Sequence, residues 1–320
     1  MVDGSVAMFD NLMQKRRMYY LISAVIIGLG ILAIGYSWVI TGAPFRLGVD
    51  FLGGTRFEVQ FTEPVTEEDV RSVFTEYGIS NPTVTALRGQ SLQNAWQIRA
   101  PFVTPEESQR LEDSLAALVP LVPGTTSVTS MSPAVGHEVT RAAFIAVGVA
   151  ALIILVYIMV MFRQLPNPVR YGVCAVTAML HDLLVMLGFV AIMGLVAGWE
   201  IDALFLTAVL TVVGFSLQDT IVVFDRIREN QNSRKLRNMG FESLVNLSIS
   251  QVFKRSVITQ LNAMFVMIAI LLFGGDSVKP FIAVLFVGLL SGTYSSIFVA
   301  TPLLVSWEKG ELPLTHAQAA

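Results

Sequence analysis

At 320 residues, 54% of them hydrophobic and 14% charged, the chain is too apolar for one soluble globule and too long for one membrane anchor. Its net charge of -3 offers no basic surplus for a phosphate backbone, which argues against a nucleic-acid partner. A single cysteine, Cys174, excludes an internal disulfide and a thiolate metal cluster, and within its apolar run it is expected to be a small buried core residue.

From the N-terminus, Lys15-Arg16-Arg17 precede an apolar stretch from Met18 to Ile40. That stretch is too long for the core of a secretory signal, and no small-x-small site closes it, so it is expected to stay as an uncleaved first span. The polar block that follows, 43–139, reads as a folded domain. Phe57-Glu58-Val59-Gln60-Phe61 alternates like a strand. Thr66-Glu67-Glu68-Asp69 and Thr104-Pro105-Glu106-Glu107 look like capping boxes that open helices. Strand-like stretches near 83–87, 95–100 and 126–130 complete the order strand, helix, strand, strand, helix, strand, the split βαβ or ferredoxin-like plan.

Helical crossing of a hydrocarbon core takes about 20 residues. Segments 19–40, 142–162, 169–197, 203–224, 257–273 and 281–304 meet or approach that length, the fifth being the shortest. The predicted fold is therefore an α-helical membrane protein: six transmembrane helices, with one α+β ferredoxin-like extracytoplasmic domain between the first and second. The expected division is a cytoplasmic N-terminus at 1–18, a first helix at 19–42, the outer domain at 43–139, a five-helix bundle at 140–304 and a cytoplasmic tail at 305–320.

Basic residues set the expected orientation. Lys15, Arg16, Arg17, Arg163, Arg170, Arg226, Arg228, Arg234, Lys235, Arg237, Lys254, Arg255 and Lys309 fall on the side of the termini, and the short loops opposite hold only Lys279. Both termini are thus expected in the cytoplasm. Within a cytoplasmic loop at 225–256, Phe241, Leu244, Val245, Ile249 and Val252 have helical spacing and predict a helix lying on the inner membrane surface. Gly288 and Gly292 in the last span form a small-xxx-small packing face.

Ionisable side chains at membrane depth persist mainly where they face protein, water or one another. The third span contains His181 and Asp182; the fourth contains Asp219 and then, at its inner end, Asp225 and Arg226. A connection of about five residues makes these two helices antiparallel, so Asp182 and Asp219 are candidates for one polar seam. Asp219 and Arg226 share a face, and Asp225 is placed to pair with Arg228. Arg255, followed by Thr259, Gln260 and Asn262, offers a cation and hydrogen-bonding groups from the fifth span. A carboxylate that alternates between neutral and ionised, Arg-paired states is what a proton relay requires. The Gly-x-Gly-Asp signature of intramembrane aspartyl proteases is absent, as is a serine-hydrolase elbow, since Gly214-Phe215-Ser216-Leu217-Gln218 lacks the second glycine. No metal-ligand spacing or phosphate-binding loop is present, so neither a metal nor a cofactor is predicted. Work without enzymatic nucleotide hydrolysis would come from an ion gradient.

Gly48-Val49-Asp50-Phe51-Leu52-Gly53-Gly54 and the run from Ser216 through Asp219, Asp225 and Arg226 to Asn230 closely resemble the signature segments of the SecF family. The His181-Asp182 pair and the turn Trp199-Glu200-Ile201-Asp202 match as well, and the resemblance spans nearly the whole chain. It implies membership of the resistance-nodulation-division superfamily and a multi-pass place in the plasma (inner) membrane. It also implies a SecD partner, the SecYEG channel, exported preproteins and membrane lipid as associates, and coupling to protons or sodium ions. Carried over by position, Asp219 would be the proton-carrying aspartate, Arg255 its basic partner, and Gly48, Asp50, Gly53 and Gly54 the family signature. Phe215 and Gln218 depart from the tyrosine and asparagine frequent at those positions. Two alternatives stay open: a half-size exporter of small molecules or lipids, and a non-transporting assembly subunit.

Overall fold

The structure is a computed structural model that describes residues 11–80, 82–87, 92–165, 167–236, 238–275 and 278–311. The start of the expected N-terminal segment (1–10), Arg237 and most of the expected tail (312–320) lie outside the described residues. Among the described residues, six helices are long and apolar enough to cross a membrane: Met13–Thr41, Pro133–Met161, Pro168–Ala197, Ala203–Asn232, Phe241–Phe273 and Lys279–Glu308. The third, fourth and sixth are the most buried; the first and second pack on the third, and the fifth packs on the fourth and sixth.

Helix ends follow local chemistry. The first span is α1 (Arg16–Thr41), which stops at Gly42 in the left-handed conformation, its N–H returning to Trp38 O. A short helix α2 (Val49–Leu52) then leads into the polar domain. There β1 (Gly54–Gln60), α3 (Glu67–Glu76), β2 (Thr83–Leu87), β3 (Ala95–Ala100), α4 (Pro105–Leu118) and β4 (Ser127–Met131) follow in the order expected from the sequence. Both capping boxes are formed, Thr66 with Asp69 and Thr104 with Glu107. The strands make one antiparallel sheet in the order β2-β3-β1-β4. Phe57, Val59 and Ile98 pack from one sheet face onto Val70, Phe74, Leu111 and Leu115 of the helices. The strand period of two turns Arg56, Glu58, Gln97 and Arg99 to the opposite face.

Two glycines fix how this domain joins the bundle. Gly53 (φ 76°) and Gly54 (φ 116°) occupy backbone that L side chains rarely adopt. A Cβ on Gly53 would lie 2.6 Å from Pro133 Cα, and one on Gly54 would lie 2.7 Å from Ala100 O.

The bundle resumes with α5 (Pro133–Met161), whose Ser132 cap accepts from Val135 N–H. Next come α6 (Pro168–Ala197), ending at left-handed Gly198, and α7 (Ala203–Asn232), capped by Asp202. Then follow α8 (Phe241–Phe273) and α9 (Lys279–Ser295), which continues through a π turn at Ser296–Ala300 into α10 (Thr301–Glu308). Thr301 Oγ1 bonds Ser296 O across that turn, ahead of Pro302, which has no N–H to give.

One expectation is corrected. The helix predicted to lie on the membrane surface at 241–252 is not a separate element; it is the first part of α8, which runs without a break to Phe273. No glycine or proline interrupts 241–273, and Leu244, Val245 and Ile249 bury against Ile227, Ala300 and Leu304 instead of lipid. Because α7 also continues to Asn232, the segment 225–256 is mostly helix, and the connection is only 233–240.

Candidate functional site

Asp182 and Asp219 lie near the middles of α6 and α7 and are 2% and 5% exposed. Such burial is tolerated only with polar partners, and the two carboxylates are served very differently. Asp182 Oδ2 accepts from Ser216 Oγ at 2.6 Å and Ser295 Oγ at 2.7 Å, and Oδ1 accepts from Ser291 Oγ at 2.7 Å. His181 Nδ1 lies 3.1 Å from the same Oδ1, and its Nε2 lies 3.1 Å from Ser23 Oγ on α1. Ser23 donates on to Tyr294 OH, which donates to Tyr19 O. The Asp182 network therefore ties α1, α6, α7 and α9 together.

Asp219, by contrast, receives its hydrogen bond among the described residues from one uncharged donor, Gln260 Nε2, at 2.6 Å. Ser216 and Asp219 are three residues apart on α7, so the two carboxylates belong to one seam with the Ser216 hydroxyl between them. Thr220 Oγ1 extends the seam to Ser296 Oγ at 2.9 Å, at the π turn. The Gly288 and Gly292 face packs as expected. A Cβ on Gly292 would fall 2.9 Å from Ser216 Cβ, and one on Gly288 would meet Val212 and Met186.

Arg255, expected to be the basic partner of Asp219, is exposed and stands away from the seam. Gln260 makes the contact instead. Five residues turn a helix by about 500°, so Arg255 and Gln260 cannot share a direction. Thr259 and Asn262 are exposed as well, and Thr259 Oγ1 bonds Arg255 O. At the end of α7, Asp225 pairs with Arg228 Nη2 at 2.5 Å, as the spacing predicts. Arg226 shares a helix face with Asp219 but is engaged by Glu229 and by Gln251 Oε1 at 2.6 Å, outside the seam.

The signature residues form a joint. Gly48 N–H donates to Ile201 O and Ile201 N–H to Arg46 O, each at 2.7 Å, while Asp50 Oδ2 accepts from Ala203 N–H at 2.9 Å at the start of α7. Gly53 and Gly54 then turn the chain into the sheet.

Sequence reasoning did not single out the hydroxyl shell of Asp182. Its signal was available: Ser291 and Ser295 are four apart on the same helix as Gly288 and Gly292, a small and polar stripe that was read for packing alone.

The whole arrangement has relatives. Residues 38–65 match the SecD/SecF GG motif, and 111–310 match the C-terminal region of the protein export membrane proteins SecD and SecF. The protein translocase subunit SecF of Thermobaculum terrenum is 43% identical over 312 residues, covering 93% of this chain and 94% of that one. The chain belongs to the SecF family. Another SecF relative, from Anaerolinea thermophila, is 42% identical and covers 94% of this chain and 95% of its own. The crystal structure of SecDF from Thermus thermophilus, a translocon-associated membrane protein, superposes with a TM-score of 0.76 at 31% identity. That alignment covers 93% of the present chain, which spans only 38% of the SecDF chain. The joint built by Gly48–Gly54 thus coincides with a motif by which SecF-family chains are identified.

Proposed function

We propose that this chain is a SecF-like subunit that pairs with a SecD partner beside a SecYEG channel and uses an ion gradient, protons or sodium ions, to assist export of preproteins. In this reading it hydrolyses no nucleotide and is a multi-pass protein of the inner membrane with both termini cytoplasmic. The ferredoxin-like domain lies on the outer side.

One observation carries the reading: Asp219 sits buried at mid-span with, among the described residues, one neutral donor, and one turn along α7 stands Ser216, which donates to the well-served Asp182 of α6. An ionised carboxylate has about four acceptor sites, and among the described residues the protein meets one of them, through Gln260. Gln260 can answer either state of the group. Its Nε2–H₂ donates to the carboxylate, and its Oε1 can accept from the carboxylic acid. A side chain that must reorient when its partner takes up a proton gives the two protonation states different packing, and such a difference is what coupling requires.

Orientation is supported by the ends of the bundle. Arg16 pairs with Glu311, Arg170 with Glu308, and Lys309 with Glu242, gathering basic residues at the end remote from the sheet. A partner helix is supported by exposed Gly214 and Gln218 on α7, beside the buried seam.

The test is export of a secreted reporter in cells depleted of this protein and complemented with wild type or Asp219→Asn. Co-purification with SecD is checked for each. Normal assembly with no recovery of export supports the reading. Full recovery would make Asp219 structural and leave the assembly-subunit alternative standing.

A further inference from the structure

The outer domain and the helices carrying Asp182 and Asp219 meet through a side chain that the seam does not use. Glu200 lies in the turn between α6 and α7, and its carboxylate enters the charged face of the sheet. Gln97 Nε2 donates to Oε1 at 2.9 Å, while Oε2 lies 3.2 Å from Arg99 Nη2 and 3.9 Å from Arg56 Nη1. Arg56 and Arg99 are directly opposite one another in the β1/β3 register. Like charges in that relation destabilise a sheet; Glu200 is an anion near both, and Glu58 Oε1 lies 3.3 Å from Arg56 Nε as a second.

The contact is largely dry, with the Glu200 side chain 12% exposed. Burial pushes its carboxyl above the ordinary range against the pull of Arg99, Arg56 and Gln97, and burial likewise lowers Arg99. Desolvation thus outweighs attraction on both sides, as in ion pairs that specify geometry without adding much stability. Among the described residues, no donor is aligned for a hydrogen bond to Oε2, so charge alone holds that oxygen. The backbone joint at Gly48, Ile201 and Arg46, with Asp50 on Ala203 N–H and Gly53 against Pro133, holds the base of the domain to the bundle. Glu200 differs from these in reaching past the base to two strands of the sheet itself.

We propose that Glu200 is the positioning residue that delivers a shift of the α6–α7 pair to the outer domain, by bridging their turn to Arg56 and Arg99. The proposal rests on the ion-driven reading above and adds the mechanical link that the reading needs.

The experiment uses the full chain co-expressed with SecD, with Cys174 replaced by alanine and spin labels at exposed Ala116 on α4 and Val196 on α6. Inter-label distances and reporter export are measured for wild type, Glu200→Gln, Arg99→Glu and the exchanged pair Glu200→Arg with Arg99→Glu. We expect Glu200→Gln and Arg99→Glu to broaden the distance distribution and reduce export while SecD still co-purifies, and the exchanged pair to narrow the distribution and restore export. An unchanged distribution in Glu200→Gln would show that the bridge does not hold the domain, and a broadened one with full export would show that the link is not used; either result overturns the proposal. Failure of the ion-driven reading would appear separately, as full export by Asp219→Asn with the distances of Glu200→Gln still broadened.

Discussion

Asp182 and Asp219 show how neighbouring side chains decide what a buried acid does. Three serine hydroxyls donate to Asp182 and His181 lies beside it, so its oxygens are served by short hydrogen bonds from two other helices. Removing one hydroxyl should therefore be felt as lost stability. Ser295→Ala is expected to lower the stability of the purified complex by about 1–3 kcal/mol, the cost of under-serving a buried acceptor. Asp182→Asn is expected to do the same, because an amide nitrogen would replace an oxygen that accepts a hydroxyl. Thermal unfolding in detergent, with export measured in parallel, checks both. A Ser295→Ala variant that unfolds at the wild-type temperature would mean that the shell is not what holds Asp182. The asymmetry also sharpens the role of Asp219: Gln260→Leu, which removes its donor, is expected to abolish export while sparing assembly, since among the described residues no second donor to Asp219 is placed.

Among the elements, α1 is the one whose attachment is easiest to misjudge. Much of its surface is exposed, and its most extensive contact with the bundle is with α6, supplemented by Tyr294 and Ser306 of the last span. The two helices touch at Gly30 and Gly188, where a Cβ on Gly30 would lie 2.9 Å from Gly188 Cα. Without a hydrophobic driving force between helices in lipid, such close backbone approach is a main source of cohesion. Gly30→Leu is expected to wedge the pair apart and destabilise the complex by about 1–3 kcal/mol. Gly28→Leu, on the same helix but with no atom within 4 Å of the added Cβ, is the control and should stay near wild type. Equal effects at the two positions would move the cause from packing to helix propensity. Hydropathy located α1 but was silent on this contact, because a glycine pair has no apolar signature.

At the scale of the molecule, the seam is not wrapped on all sides by this chain. Gly214 and Gln218 face outward from α7, and a Cβ on Gly214 would meet nothing within 4 Å. A bulky residue there costs this chain no packing and obstructs only what lies opposite. Gly214→Trp is accordingly expected to leave the chain folded and inserted but to lower recovery of SecD in co-purification. Undiminished recovery would place the partner on another face. Gln218 is a polar group on that exposed surface, and polar groups at membrane depth call for a protein neighbour.

How much of this was legible beforehand depends on the range of the interactions. Span positions, both capping boxes and the order of strands and helices at 54–131 follow from residues a few positions apart, and hydropathy, cap spacing and alternation report them directly. The Asp225–Arg228 pair is legible for the same reason. Other features required helices to be set beside one another at a defined rotation. They include Gln260 in place of Arg255 as the neighbour of Asp219, the serine shell drawn from α7 and α9 around Asp182, and the anchoring of α8 from residue 241. The bridge from Glu200 to Arg56 and Arg99 is of this kind too, joining groups more than 100 residues apart. By itself the sequence determined which residues are ionisable at membrane depth. Only the tertiary structure decided their partners, because side-chain direction around a helix axis is set by packing against other elements and not by the local sequence.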